Sequence, residues 1–290
     1  MWPALICHYQ AQSTAPEESP ITFAVKVRIV FTIALLGLCG CEPNSVAGGA
    51  AGQRSAPTIG PASLYRAPPT ATAAILVSAD VVGLVGHSER GDRVRLASPG
   101  GQAAFATAGR DGAWRIDLPA TAAPRLFGLA VVDRGRTIQS EGYIAVMPGG
   151  GAAQLRAGAG AVVLGPKGGE PMILAVDFDS KGGAVVSGRA SSRAAVEVWV
   201  DGVRRSRGQT SSDGQFSLAL NEPVAFGEHR FEVTDGPRRA AAQVALSLAP
   251  PLSTGPYRSR RARFGWRVDW MTPGGGLQTT LLLGQDGVTA

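Results

Sequence analysis

The amino-acid sequence predicts an all-β protein in which two β-sandwiches follow one another, after a disordered tether and before a C-terminal β-hairpin. Apolar and polar side chains alternate over many short segments, which is the period of a strand with one buried face. Turn-forming Asp-Gly pairs precede several of these segments. The pattern occurs twice at a constant offset of 102 residues, and no segment shows a sustained helical period.

The first predicted element is an export signal over residues 25–40. Lys26 and Arg28 precede an apolar stretch from Ile29 to Leu38, which is typical of a secretory signal peptide. This stretch is shorter than the roughly 20 residues that span a bilayer. Residues 1–24 carry two glutamates and no lysine or arginine. We interpret them as the product of a mis-assigned translation start; the alternative is a genuine extension that is removed with the signal.

The end of the signal, Leu38-Cys39-Gly40-Cys41, resembles the lipobox of bacterial lipoproteins. In that family the cysteine is acylated and becomes the mature N-terminus. Cys41 fits because Gly40 precedes it, whereas Cys39 follows a large leucine. The resemblance implies a lipid-attached Cys41 and a membrane-anchored protein of the cell envelope. Some bacteria use an aspartate after the acylated cysteine for inner-membrane retention. Glu42 is not that aspartate, so the resemblance implies the outer membrane.

Residues 41–74 are the predicted tether. From Glu42 to Ala74 the chain is rich in Ala, Pro, Gly, Ser and Thr, with too few large apolar side chains to offset the entropy of ordering. After Cys41 there is no further cysteine. The exported body therefore has no disulfide, no thiolate metal site and no cysteine nucleophile.

The positive charge lies in the second half of the chain. Segment 189–267 has 13 arginines and 7 acidic residues, a net charge of +6, whereas segment 42–188 has +2 and segment 268–290 has −2. We exclude nucleic acid as a partner for an exported lipoprotein. Anionic lipid headgroups, lipopolysaccharide, acidic polysaccharide or an acidic protein face are expected instead. A solvated arginine-rich surface without a partner is the alternative.

Two repeat units of about seven strands each are predicted, over residues 75–148 and 172–249. Gly86 of the first unit matches Gly188 of the second. After the aligned Asp-Gly pairs, the alternating residues Trp114, Ile116 and Leu118 match Phe216, Leu218 and Leu220. We therefore expect Trp114 and Phe216 to be equivalent core residues.

The shared pattern of a glycine, two alternating apolar residues and an Asp-Gly turn before a strand resembles bacterial immunoglobulin-like domains and carboxypeptidase-regulatory-like modules. This resemblance implies two tandem immunoglobulin-like β-sandwiches. It bears on fold much more than on function. Residues 149–171 between the units are Gly-rich and predict a linker, with Ala161 to Leu164 as a possible extra strand.

Residues 250–290 do not repeat and predict an arginine-rich segment followed by an aromatic hairpin. Trp266, Val268 and Trp270 alternate with polar residues, and a turn rich in glycine separates them from a second alternating segment, 277–283. Both tryptophans are therefore expected on one face. An isolated hairpin is marginally stable in water, so this face packs either on the second sandwich or on a partner.

No group of residues predicts catalysis, a cofactor or a metal site. His87 and His229 lie at non-equivalent positions of the repeat, and a zinc site needs three or four clustered ligands. The segment from Asp177 to Gly182 has the look of a calcium loop, but no acidic residue closes it and a turn explains it better. We predict that the protein is not an enzyme.

One candidate binding patch is present. Val196, Val198 and Val200 form the buried face of a strand, which turns Trp199 outward beside three arginines. Tryptophan and arginine are over-represented at binding hot spots. Alternatively, the hairpin covers this site. The candidate residues are Trp199, Arg204, Arg205, Arg207, Trp266 and Trp270.

Three functions are compatible with these observations. The first is a non-catalytic envelope lipoprotein whose tandem domains mediate protein–protein contacts. The second is a glycan-binding module for acidic polysaccharide or peptidoglycan, which solvent-exposed, coplanar tryptophans would favour. The third is an accessory subunit of an export or envelope-assembly complex, in which an unpaired hairpin edge adds to a partner's sheet.

Overall fold

The computed structural model describes residues 66–263 and 265–284. Regular structure in this part consists of twenty β-strands, which confirms the predicted all-β class. None of the described residues belongs to a helix that is long and apolar enough to cross a membrane. The predicted N-terminal extension, signal peptide, acylated Cys41 and most of the tether lie outside the described residues.

Eight strands build the first sandwich: β1 (Thr70–Ser78), β2 (Val81–His87), β3 (Arg93–Ala97), β4 (Ala103–Thr107), β5 (Ala113–Pro119), β6 (Arg125–Asp133), β7 (Arg136–Gln139) and β8 (Tyr143–Val146). One sheet has the order β1-β2-β5, and the facing sheet includes β8-β6-β3-β4. The long strand β6 pairs with β8 through its first half and with β7 through its second half. Strands β1, β2 and β5 thus form one sheet, and β3, β4, β6 and β7 lie opposite to them, which is an immunoglobulin-like arrangement.

The second sandwich repeats this arrangement with seven strands: β11 (Met172–Asp179), β12 (Ala184–Arg189), β13 (Ala195–Val200), β14 (Val203–Gln209), β15 (Gln215–Ala219), β16 (Gly227–Asp235) and β17 (Arg238–Leu246). Strands β15-β12-β11 lie in one sheet and β14-β13-β16-β17 form the other. Each sandwich has its own hydrophobic core between its sheets.

Equivalent aromatic residues pack at the same place in both cores. Trp114 is 3% exposed and Phe216 is 5% exposed. Gly86 lies directly across from Trp114, and Gly188 lies directly across from Phe216. A Cβ atom on Gly86 would lie 2.3 Å from the Trp114 ring, and one on Gly188 would lie 2.8 Å from the Phe216 ring. The two glycines are therefore needed to make room for the rings.

Two segments predicted as a linker and a tether contribute strands to the sandwiches. Within the predicted linker 149–171, β9 (Ala152–Leu155) and β10 (Val162–Leu164) extend the sheet beyond β8. Strand β10 matches the possible extra strand at Ala161 to Leu164, whereas β9 was not predicted. The last residues of the predicted tether 41–74 belong to β1, which begins at Thr70. Both segments are rich in alanine and glycine. Their small side chains give little contrast between a buried and an exposed face, so their sequences resemble linkers.

The C-terminal residues form three further strands: β18 (Tyr257–Ala262), β19 (Gly265–Met271) and β20 (Leu277–Leu283). Strand β20 pairs with β11, which gives a six-stranded sheet with the order β15-β12-β11-β20-β19-β18. The hairpin of β19 and β20 thus lies inside a sheet of the second sandwich.

A third hydrophobic core joins the two sandwiches. The outer face of the six-stranded sheet packs on strands β6, β8 and β9 of the first sandwich. The buried residues of this core are Leu126, Ala145, Met147, Ala153, Leu155, Ala161, Ala175, Trp266, Val268, Trp270 and Leu282. The aromatic face of the hairpin therefore packs on the first sandwich, while its edge pairs with the second.

Candidate functional site

Trp199 lies on the outer face of the four-stranded sheet of the second sandwich. Its neighbours in β13, Val198 and Val200, are 0% and 3% exposed and point into the core. Trp199 is partly exposed on the opposite face, directly across from Arg204 of β14 and Glu232 of β16. This position follows from the alternation of side chains along a strand.

Ion pairs position three arginines around this tryptophan. Arg204 Nη1 lies 2.8 Å from Glu197 Oε1. Glu232 binds two arginines: its Oε1 atom is 2.6 Å from Arg230 Nε and its Oε2 atom is 3.2 Å from Arg239 Nη1. The hydrogen bond from Arg230 is the main reason that the pKa of Glu232 lies below its usual value.

The three paired arginines keep donors directed to solvent. The side chains of Arg204, Arg230 and Arg239 are 51%, 52% and 65% exposed. A guanidinium has five N–H donors, so one or two bonds to a glutamate leave others for a ligand. Arg207 is exposed on the same face, across from Glu197.

We call this surface the arginine face and define it as Glu197, Trp199, Arg204, Arg207, Arg230, Glu232 and Arg239. Four arginines and two glutamates give it a net charge of +2. The sequence did not predict that Arg230, Glu232 and Arg239 lie near Trp199, because strand pairing brings them there from distant positions. Alternation along β16, where Phe231 and Val233 are buried, is the signal that could have placed Arg230 and Glu232 on an outer face.

The remaining predicted patch residues lie elsewhere. Arg205 is the extra residue at an irregularity between β13 and β14, where it forms an ion pair with Glu222. Trp266 and Trp270 are 7% and 0% exposed, which corrects their assignment to a binding patch. Alternation showed that the two tryptophans share a face, but not that the first sandwich covers it.

Both buried tryptophans have partners within the chain. Trp270 Nε1 donates a hydrogen bond to Thr280 Oγ1 at 3.1 Å, and the Tyr143 ring meets the Trp270 ring edge-on at 5.8 Å between centroids. The guanidinium of Arg261 lies 4.8 Å from the centre of the Trp266 ring. Solvent-exposed, coplanar rings would have favoured the glycan-binding alternative, and the rings of Trp266 and Trp270 are buried.

A buried carboxylate ties the connection between β9 and β10 to the second sandwich. Asp177 Oδ2 accepts a hydrogen bond from the Ala161 backbone N–H at 2.7 Å. Asp177 Oδ1 accepts bonds from Gln278 Nε2 at 3.0 Å and from the Thr280 hydroxyl. Burial raises the pKa of Asp177 to about 6, although these three hydrogen bonds act in the opposite direction.

Asp179 of the calcium-loop-like segment and His229 form hydrogen bonds within the fold. Asp179 Oδ1 accepts bonds from the backbone N–H groups of Lys181 and Gly183, which is turn geometry. His229 Nδ1 lies 2.6 Å from Asp201 Oδ2, and its Nε2 lies 2.8 Å from a backbone carbonyl oxygen. Across the described ranges, no group of three or more His, Cys, Asp or Glu side chains is arranged to hold a metal ion.

Comparisons with known proteins show only distant similarity. No family model and no curated protein matches the chain. Among solved structures, it is similar to "Biofilm associated protein - BSP domain", with 16% identity and a TM-score of 0.23, over 63% of this chain and 30% of that chain. It is also similar to "Central Fibronectin-III array of RIM-binding protein", with 14% identity and a TM-score of 0.22, over 76% of this chain and 90% of that chain. Similarities at this level carry no argument about function.

Proposed function

We propose that this protein is a non-catalytic lipoprotein of the cell envelope whose tandem sandwiches mediate protein–protein contacts. The observation that carries the proposal is the arginine face, on which a partly exposed Trp199 lies among four arginines on the outer face of the four-stranded sheet. Tryptophan and arginine supply a large share of the binding energy at many protein interfaces. The face has a net positive charge, so its partner is an acidic protein surface.

Preorganisation supports this assignment. The ion pairs with Glu197 and Glu232 hold the guanidinium groups of Arg204, Arg230 and Arg239 in defined positions. Binding then costs less side-chain entropy than it would with freely rotating arginines. The Trp199 ring adds an apolar contact area to these charged groups.

The anchor is the second part of the proposal and rests on the lipobox resemblance at Cys41. Acylation there holds the protein on the membrane, since each buried CH₂ group of an acyl chain contributes about 0.8 kcal/mol. The third hydrophobic core, which joins the sandwiches, suits a role in which the arginine face is presented by one connected body.

Site-specific photo-cross-linking in isolated envelopes tests the function. A photo-reactive amino acid replaces Trp199 in the full chain, and the matched control carries it at Ala97, the position that aligns with Trp199 in the first unit. We expect a discrete protein product from position 199 only, which is lost when Arg230→Glu and Arg239→Glu are added.

Three outcomes would argue against the proposal. Equal products from positions 199 and 97 would mean that the arginine face has no special role. Products that persist after both charge reversals would exclude an acidic partner. No protein product, together with retention on an acidic polysaccharide column, would favour the glycan alternative.

A further inference from the structure

Strand β18 lies at one edge of the six-stranded sheet, at the end opposite to β15. Within the described residues it pairs with β19 alone, whereas β19 and β20 each have strands on both sides. The hairpin itself therefore has no free edge. An edge strand has a row of backbone N–H and C=O groups directed away from its sheet, and these groups are available to an added strand.

One face of this edge has an excess of positive charge. Arg258 lies directly across from Asp269, and Arg260 lies directly across from Arg267. Asp269 Oδ2 is 2.9 Å from Arg258 Nη2, and Asp269 Oδ1 is 2.7 Å from Arg267 Nε. Arg258 and Arg267 thus share a single carboxylate, which is nearly inaccessible to solvent, and Arg260 adds a third positive charge beside them.

Arg260 is the uncompensated member of this group. Its side chain is exposed and forms no ion pair or hydrogen bond within the part of the chain that the structure describes. Like charges directly across from each other on neighbouring strands are destabilising. The other neighbouring position of Arg260, on the open side of β18, has no strand, and a carboxylate placed there would offset the repulsion from Arg267.

We propose that β18 accepts an extended acidic segment of another protein as an added strand. The backbone of the segment pairs with the open edge of β18, and one of its aspartates or glutamates lies across from Arg260. Backbone hydrogen bonds supply affinity in strand addition, and alternate side chains supply specificity. This site is separate from the arginine face, so the inference goes beyond the proposed function.

The opposing interpretation is that the arginines only prevent unwanted pairing, because charged side chains are a common way to protect an edge strand. The two interpretations differ in their response to an acidic strand. Protection by charge predicts that no strand adds, whereas the proposed site predicts that an acidic strand binds and a basic one does not.

The test uses the full chain in detergent and a fluorescein-labelled octapeptide of alternating threonine and glutamate, with binding followed by fluorescence anisotropy. We expect saturable binding that weakens at higher salt and weakens at least tenfold in Arg260→Glu. The matched control is Arg136→Glu, since Arg136 is an exposed arginine on β7, which among the described strands pairs with β6 alone. This control is expected to bind as the unmodified protein does.

Two N-methylated versions of the peptide test for backbone pairing. One is methylated on the threonine amides and the other on the glutamate amides, which project to opposite edges of an extended strand. Strand addition predicts that one version loses binding and the other retains it. Equal binding by both versions, no binding of the parent peptide, or equal losses in Arg260→Glu and Arg136→Glu would each overturn the proposal.

Discussion

Replacing Trp270 with alanine tests whether the third core holds the two sandwiches together. The Trp270 side chain is 0% exposed, so the substitution removes a complete buried indole. Truncation of a buried tryptophan to alanine costs about 3–5 kcal/mol. The loss includes the edge-on contact with Tyr143, since such aromatic pairs contribute about 0.5–1.5 kcal/mol beyond area burial.

We expect a value near the upper end, about 4–5 kcal/mol, because the cavity lies between two regular sheets that have little freedom to collapse. The Thr280 hydroxyl also loses the hydrogen bond from Trp270 Nε1. The free energy of unfolding is measured by urea titration of the full chain, with far-UV circular dichroism as the probe. The matched control is Trp199→Ala, the same chemical change at a partly exposed position, which is expected to cost less than about 1.5 kcal/mol.

A free energy of unfolding for Trp270→Ala within about 0.5 kcal/mol of that of the unmodified protein, the range of ordinary surface substitutions, would refute the expected role of Trp270. An equally large loss of stability in Trp199→Ala would refute it as well. A double-mutant cycle with Tyr143→Ala then measures the contact directly, and a coupling energy of about 0.5–1.5 kcal/mol is expected.

Three further predictions concern other parts of the chain. Cys41→Ser is expected to block processing or release the protein from membranes; unchanged fractionation and electrophoretic migration would contradict the lipid anchor. Trp114→Ala and Phe216→Ala each remove an equivalent core ring, so each is expected to cost about 3–5 kcal/mol in urea unfolding and to destabilise mainly its own sandwich. If either variant unfolds like the unmodified protein, the ring is not a core element. The pKa of Asp177 in the folded protein, about 6, lies above the ordinary value of 3.8, so protonation of Asp177 stabilises the folded state. This contribution to stability is fully present below about pH 3.8 and is lost as the pH rises through about 6. The loss amounts to at most about 3 kcal/mol; Asp177→Asn should lack this part of the pH dependence, and identical profiles would show that Asp177 does not titrate in this range.

The sequence alone determined the strands and their repetition. Trp114 and Phe216 begin alternating segments after Asp-Gly turns, and alternation is a local property that each segment carries by itself. The same rule placed Trp199 opposite the buried face formed by Val196, Val198 and Val200. Segments of small residues lacked this contrast, which is why β9 was missing from the prediction. For Cys41 the sequence supplies a resemblance, and the anchor stays a prediction.

Only the tertiary structure decided what covers each face and which distant residues meet. Alternation puts Trp266 and Trp270 on one side of a strand, but it contains no information about whether that side meets solvent, a partner or the first sandwich. Arg230 and Arg239 reach Trp199 through pairing registers between strands that are far apart in the chain. Asp177 meets Ala161 and Gln278 for the same reason. Burial and register depend on contacts between separate segments, and a local pattern does not specify them.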